Sequence, residues 1–185
     1  MDKSLKINIF GASGAGTTTL GRTLAKYFDY PFLDSDTYYW KLTDPPFQIK
    51  HSPETRQGNL KRDFLSHSGV VLTGGMMSWG EGWESCFDVA FFLYLSPDVR
   101  MQRLRKRERE RYGETLEHDP IVQQTSVEFL EWAAGYDDPD FDGKSITRHR
   151  KWMERITYPV ISIENNRTEE WLLKEALLQM EALEL

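Results

Sequence analysis

The sequence is poor in cysteine, in long apolar runs and in positive charge. Its 185 residues hold one cysteine, Cys86. A single thiol can form neither an internal disulfide nor a metal site, so a reducing, cytoplasmic setting is expected. The simplest role for Cys86 is that of a small core hydrophobe. The longest apolar run, residues 89–95, falls far below the roughly 20 residues that span a bilayer. Residues 1–6 are polar and lead directly into a short apolar segment, so a soluble chain without a targeting segment is expected. A net charge of −6 argues against nucleic acid as a partner, because a phosphate backbone rewards a basic surface. It still allows a small anionic ligand in a local basic cleft. The histidines at 51, 67, 118 and 149 lack metal-ligand spacing and read as surface or structural residues. Residues 138–143 begin like a calcium loop, but His149 stands at the twelfth position, where a glutamate is needed.

What the chain does have is an alternation of strand and helix patterns, without internal repeats. Residues 6–10, 31–34, 70–73, 89–95 and 159–163 read as short strands. The fourth is apolar throughout, as a strand buried on both faces must be. Helical spacing covers 17–28, with Leu20, Leu24 and Phe28 on one face. Another helix is expected over 53–66, capped by Ser52 with Pro53 in first position, and a third over 98–111 after Ser96-Pro97. Further helices run from Asp119-Pro120 to Gly135, over 145–156 and over 168–183. Residues 37–58, rich in rings and prolines, read as a shaped loop. This alternation predicts an α/β fold: a parallel sheet with helices on both faces.

Gly11-Ala12-Ser13-Gly14-Ala15-Gly16-Thr17-Thr18 matches the phosphate-binding pattern G-x-x-x-x-G-K-[ST] except that Thr17 stands in place of lysine. Glycines let the backbone curl and turn its N–H groups inward around phosphate oxygens, and the following helix adds its positive end. Thr18 is the hydroxyl expected on a magnesium ion. A dinucleotide-binding Rossmann turn also places glycines between a first strand and helix, with an acid roughly 20 residues later, here Asp34 or Asp36. A glycine-rich turn without a ligand is the third reading. The run Gly16-Thr17-Thr18-Thr19 continues the phosphate-loop pattern, and no Tyr-x-x-x-Lys pair offers reductase chemistry.

On these residues the chain resembles the small P-loop kinases of the nucleoside-monophosphate kinase and shikimate kinase type. The variant Gly-x-Gly-Thr-Thr-Thr is similar to that of archaeal-type cytidylate kinases, so absence of the lysine does not imply absence of activity. Asp34-Ser35-Asp36 resembles the acidic strand end of shikimate kinase, and Asp36-Thr37-Tyr38-Tyr39 the acceptor loop of uridine-kinase-like enzymes. The resemblance implies a P-loop NTPase fold, with a five-stranded parallel sheet of order 2-3-1-4-5 and a helical lid. It also implies one domain over 1–185, with an acceptor-binding segment at 37–68 and a lid at about 107–150. ATP and Mg2+ are the implied cofactors. Phe129 to Trp152 matches no motif with a role.

Loss of the lysine removes a charge normally shared by the β and γ phosphates, so positive charge must come from elsewhere. Residues 98–111 hold seven basic side chains against three acids, and Arg103, Arg107 and Arg111 recur every fourth position. Lys144, Arg148, Lys151 and Arg155 form a second basic face. A mobile lid arginine, Arg107, Arg111 or Arg148, is expected to replace the lysine. Asp36 is expected as the acceptor-side base, with Asp34 nearer the metal alongside Thr18. Being two apart, the acids point to opposite sides if their strand persists. Gly74-Gly75 resembles the glycine loop that approaches the acceptor in shikimate kinase. Tyr38, Tyr39, Trp40, Phe47, Met76, Trp79 and Trp83 could either line a pocket for a base or sugar ring or form a satellite aromatic core. Arg56, Lys61 and Arg62 are candidates to meet an acceptor phosphate.

The reading is therefore an ATP-dependent phosphotransferase for a nucleoside, nucleoside monophosphate or sugar-like hydroxyl acceptor. A catalytically weak nucleotide-binding protein and a Rossmann oxidoreductase are the alternatives. A monomer or dimer, without membrane or nucleic-acid partner, is expected.

Overall fold

The structure, a computed structural model, describes residues 4–185. Its five strands are β1 (Lys6–Gly11), β2 (Phe32–Asp34), β3 (Val70–Thr73), β4 (Val89–Tyr94) and β5 (Val160–Glu164). All neighbouring pairs are parallel, in the order β2-β3-β1-β4-β5. That order decides between the two glycine-loop readings. A Rossmann sheet keeps its first and second strands adjacent, whereas here β3 lies between them, so the oxidoreductase alternative falls.

Side-chain alternation divides the core into two layers. Ile7, Ile9, Val71, Val89, Phe91 and Leu93 face one side. There they meet Leu20 and Leu24 of α1 (Thr17–Phe28) and Leu172, Ala176 and Met180 of α8 (Glu169–Ala182). Phe10, Val70, Leu72, Ala90 and Phe92 face the other. Leu60 and Phe64 of α3 (Pro53–Leu65) cover them, with Trp152 of α7 (Ile146–Met153). Three further helices, α4 (Pro97–Tyr112), α5 (Thr115–His118) and α6 (Pro120–Ala134), stand beyond β4. Met101 and Leu104 of α4 pack on Ala133, Phe129 and Leu130 of α6.

The expected cap holds at Ser52, and Asp119, Ser145 and Thr168, expected only as helix starts, cap their helices too; all four side chains accept first-turn amides. Ser96 precedes Pro97 as expected but makes no such bond. Two helices were not legible. One is α5, a single turn; the other is α2 (Ser35–Tyr39), which occupies part of the expected loop. Among the described residues, no helix is long and apolar enough to cross a membrane.

Candidate active site

The phosphate loop joins β1 to α1 at the edge of the sheet's carboxyl ends. Gly14 and Gly16 have φ of 83° and 94°, a region that L side chains rarely adopt. Gly16 caps α1 with no side chain over the first-turn amides, so these donors point outward for an anion. Thr18 is partly buried, and its hydroxyl has no partner among the described residues; Thr19 is exposed on α1. A curled loop with open amides and a free hydroxyl fits a magnesium-bound polyphosphate.

Two distant side chains fix this loop. Asn165, 4% exposed just after β5, donates its Nδ2 to the Ala15 carbonyl at 2.7 Å. Arg100, 0% exposed on α4, donates Nη1 to the carbonyls of Ser13 at 3.4 Å and Ala133 at 3.2 Å. Its Nη2 pairs with Asp137. Neither residue was singled out from the sequence. For Arg100 a signal existed, because it shares the buried face of α4 with Met101, Leu104 and Glu108. A lone asparagine after a strand carries none.

The loop opens into a cavity of about 990 Å³. Ala12, Ser13, Gly14 and Thr17 line one end, and Asp34, Asp36, Thr73, Gly74 and Gly75 line its floor. The two acids do not diverge. β2 stops at Asp34, whose carboxylate caps α2 by accepting the Asp36 amide at 3.1 Å. Both side chains therefore face the same space. Burial, and then the neighbouring Asp36 charge, push the Asp34 carboxyl above its ordinary value.

The rings divide between the two roles considered. Tyr39, Trp40, Phe47 and Trp79 line the cavity. An antiparallel bridge between Trp40 and Lys50 holds the loop that carries Trp40 and Phe47. Trp79 serves both roles, since at 5% exposure it belongs to the same core as Met76 and Trp83, which are 1% and 4% exposed. Tyr38 also turns away, donating its hydroxyl to Asp63 at 2.9 Å, and its pKa is pushed up to about 12 by burial and that bond. Arg56 lies behind the wall, 4.4 Å from the Tyr39 ring and 5.4 Å from that of Trp79. Its Nε is buried without a partner among the described residues. Lys61 and Arg62 do not line the cavity, and Arg62 pairs with Asp63. Cys86 is half-buried in the adjoining core, its thiol raised to about 11 by burial.

The far wall is basic. Arg107, Arg111, Arg148, Lys144, Lys151 and Arg155 all line it, with Phe129 and Trp132 from the stretch that matched no motif. Arg103 is exposed and lies elsewhere. Arg111 pairs with Glu108 at 2.9 Å and covers the Phe47 ring at 4.8 Å, so the loop after α2 touches α4. Arg148 donates to the carbonyls of Asp142 and Gly143 at 2.7 and 3.2 Å. His149, expected as a surface or structural residue, is 0% exposed and bonded through Nδ1 to the Tyr136 hydroxyl at 2.6 Å. Burial, then the Lys144 charge, drive its pKa well below the ordinary value.

Phosphate loop, sheet order and cavity agree with what this chain is similar to. The sequence profile of the AAA domain matches residues 7–122. The chain belongs to this family, among the small P-loop kinases of nucleoside-monophosphate kinase and shikimate kinase type. It is 38% identical over 160 residues to the uncharacterized protein YqaC of Bacillus subtilis, covering 86% of this chain and 88% of that one. With a shikimate kinase of Vibrio vulnificus it shares 30% over 149 residues, 74% of this chain and 82% of the relative. Among solved structures, the shikimate kinase of Acinetobacter baumannii in complex with shikimate superposes with a TM-score of 0.57 at 20% identity, covering 100% and 97% of the two chains. At that identity the likeness speaks for the fold alone.

Proposed function

We propose that this small P-loop kinase transfers the γ-phosphoryl group of ATP to a hydroxyl of a small, ring-bearing acceptor, a nucleoside or a sugar-like compound that carries an anionic group. One observation carries the reading: phosphate loop, paired acids and aromatic, basic wall share a single cavity. The segment 37–68 supplies its acceptor side, and the segment 107–150 acts as a lid over it.

In this reading the amides of residues 12–18 cradle the β and γ phosphates. Thr18 and Asp34 would hold a magnesium ion, which would supply neutralising charge to the phosphates. Asp36 accepts the proton of the acceptor hydroxyl as its oxygen forms a bond to the γ phosphorus, while the bond from that phosphorus to the ADP oxygen breaks. Tyr39, Trp40, Phe47 and Trp79 offer flat faces to the acceptor ring. The Gly74-Gly75 backbone approaches its anionic group, Arg56 backs the rings of Tyr39 and Trp79 from behind the wall, and Arg107, Arg111 and Arg148 close over the phosphates with the lid. A nucleotide binder without turnover is the second reading, and Thr17 is the residue that favours it.

Thermal-shift titration with Mg-ATP, ADP and NAD tests the binding step. A ligand at 100 times its Kd stabilises the native state by about 2.7 kcal/mol, so both adenine nucleotides should raise Tm and NAD should not. Turnover against a panel of hydroxyl acceptors then tests transfer. Silence toward every adenine nucleotide at millimolar concentration sinks the reading; binding without any turnover leaves the second one.

A further inference from the structure

The phosphate loop has a threonine where a cation is usual, yet the cavity beside it is ringed by cations. Their existing partners separate them. Arg111 is paired with Glu108, and Arg155 with Glu84 at 2.6 Å. Arg148 is held by two carbonyls. Lys50 covers the rings of Tyr39 and Trp40 at 5.6 and 5.4 Å, and Arg107 covers Phe129 at 5.4 Å. Lys151 is exposed. Lys144 differs from all of these. It is partly buried and lines the same cavity as Thr17, and among the described residues its ammonium has no hydrogen bond or ion pair.

We propose that Lys144, delivered from the turn before α7, supplies to the transferred phosphoryl group the positive charge that Thr17 withholds. The inference rests on the phosphotransfer reading above and names a residue of that site which no motif marks.

The backbone around Lys144 is held on both sides. Arg148 grips the carbonyls of residues 142 and 143. Ser145, 1% exposed, caps α7 by accepting the Arg148 amide at 3.3 Å. One turn further, His149 and Trp152 pack edge-on against Phe10, with ring centroids 5.3 and 5.0 Å away. Phe10 is the residue before the phosphate loop, so α7 docks at the root of that loop and carries Lys144 beside it.

Charge bears on the ammonium as well. Burial draws the Lys144 pKa down, and the carboxylates of Asp36 and Asp34 oppose that shift. Lys144 also feels Arg100, the residue bonded to the Ser13 carbonyl. Lys144 lines one cavity with Ser13, Gly14 and Thr17 of the phosphate loop and with Asp34 and Asp36, and in that cavity the γ phosphorus must sit for transfer to a hydroxyl held by Asp36. An ammonium there donates hydrogen bonds to the equatorial phosphoryl oxygens and keeps its protons throughout, so its contribution is electrostatic. Thr17 is neutral and cannot serve so. A lysine at 17 and one at 144 would be alternative sources of one charge, which makes them exchangeable in principle.

The test combines protection with exchange. Lysine side chains of the wild type are methylated reductively and located by mass spectrometry, with Mg-ATP, Mg-ADP, AMP or no nucleotide. Mg-ATP should shield Lys144 and AMP should not. Lys144→Met should keep its Tm and circular dichroism, since the ammonium holds nothing in place. It should weaken ATP more than AMP and slow transfer by roughly 10²–10³-fold, the usual cost of one donor to developing charge. Lys144→Arg should retain part of the rate, and Thr17→Lys added to Lys144→Met should regain at least tenfold. Turnover without protection, or a Lys144→Met enzyme altered only in acceptor KM, overturns the Lys144 assignment and leaves phosphotransfer standing. Protection by Mg-ATP without turnover keeps Lys144 as a phosphate ligand but sinks phosphotransfer. Absence of both sinks both. Were Lys144→Met to misfold, the protection pattern of the wild type would decide alone.

Discussion

The two ends of the cavity are built in opposite ways. The phosphate loop is one contiguous turn between β1 and α1, and its buried supports, Arg100 and Asn165, act on its carbonyls from outside. The other end, proposed for the acceptor, has no such continuity. It takes Asp34 and Asp36 from one strand end, four rings from three segments, and cations from α4, α7 and the turn before it. A loop that must present amides to phosphate needs a rigid backbone, and hydrogen bonds to its carbonyls provide that without occupying the amides. An acceptor site needs a shape, and side chains from separate elements provide shape. The difference teaches where variation in such a chain should act: in the proposed reading, changes at the acceptor end alter what is phosphorylated, and changes around the loop alter whether the protein holds together.

Asp36→Asn is the sharpest cut between the two ends, and the largest effect expected. Asp36 belongs to the acceptor end and lines the cavity without supporting the loop. Its neutral isostere should bind Mg-ATP as the wild type does while transfer falls by roughly 10²–10⁴-fold, the usual contribution of a general base. Nucleotide affinity and turnover are to be measured separately on the same preparation. Unchanged turnover removes Asp36 from the mechanism. A parallel loss of nucleotide affinity would mean that the two ends are not separable at this residue.

Arg100→Ala probes the other end. The guanidinium links the Ser13 carbonyl, the Ala133 carbonyl and Asp137, so its removal unties loop from α6 and leaves Asp137 without its counter-ion. Removing one partner of a buried pair costs about 3–5 kcal/mol. Asp137 is 24% exposed, which favours the low end of that range. Denaturant unfolding should show the loss in the protein without nucleotide. A variant of wild-type stability that has merely lost turnover would contradict a structural role for Arg100.

This asymmetry also explains what could be read from the sequence. The phosphate loop and the strand and helix that flank it were legible because strand, glycines and helix lie consecutively and each obeys a local rule. Asp34 and Asp36 were legible as an acidic strand end, but not on one side of it. That depended on β2 stopping at Asp34 and α2 starting there, a switch made by the Asp34 cap itself. The rings could not be sorted by pattern, because Trp79 and Trp83 are a helical turn apart and only packing against Phe64 and Phe87 assigns Trp83 to the core. Arg100 was hidden among basic neighbours that are mostly exposed. Lys144 was visible only as part of a basic face, since its place beside the loop is set by how α7 docks on Phe10.

That docking is where the two ends meet, and pH gives the smallest and cleanest probe of it. His149 lies buried against Phe10 and Phe92, with Nδ1 on the Tyr136 hydroxyl and Nε2 without a partner among the described residues. Burial and the Lys144 charge hold it neutral in the folded protein. In the unfolded chain it ionises near the ordinary value of about 6.5. Below that pH the unfolded state takes up a proton that the folded state refuses, so stability falls as pH drops; above it the term vanishes. The expected slope rises from about 0.7 kcal/mol per pH unit near pH 6.5 to about 1.4 near pH 5, above the range where ordinary carboxylates titrate. His149→Gln can keep a hydrogen bond to Tyr136 but has no proton to gain, so its stability in that window should be flatter by this amount, whatever its offset from the wild type. Parallel slopes for the two proteins would show that His149 already accepts its proton in the folded state. The contact between α7 and the root of the phosphate loop would then be open enough to admit charge, and the separation between a held loop and an assembled acceptor side would fail at its junction.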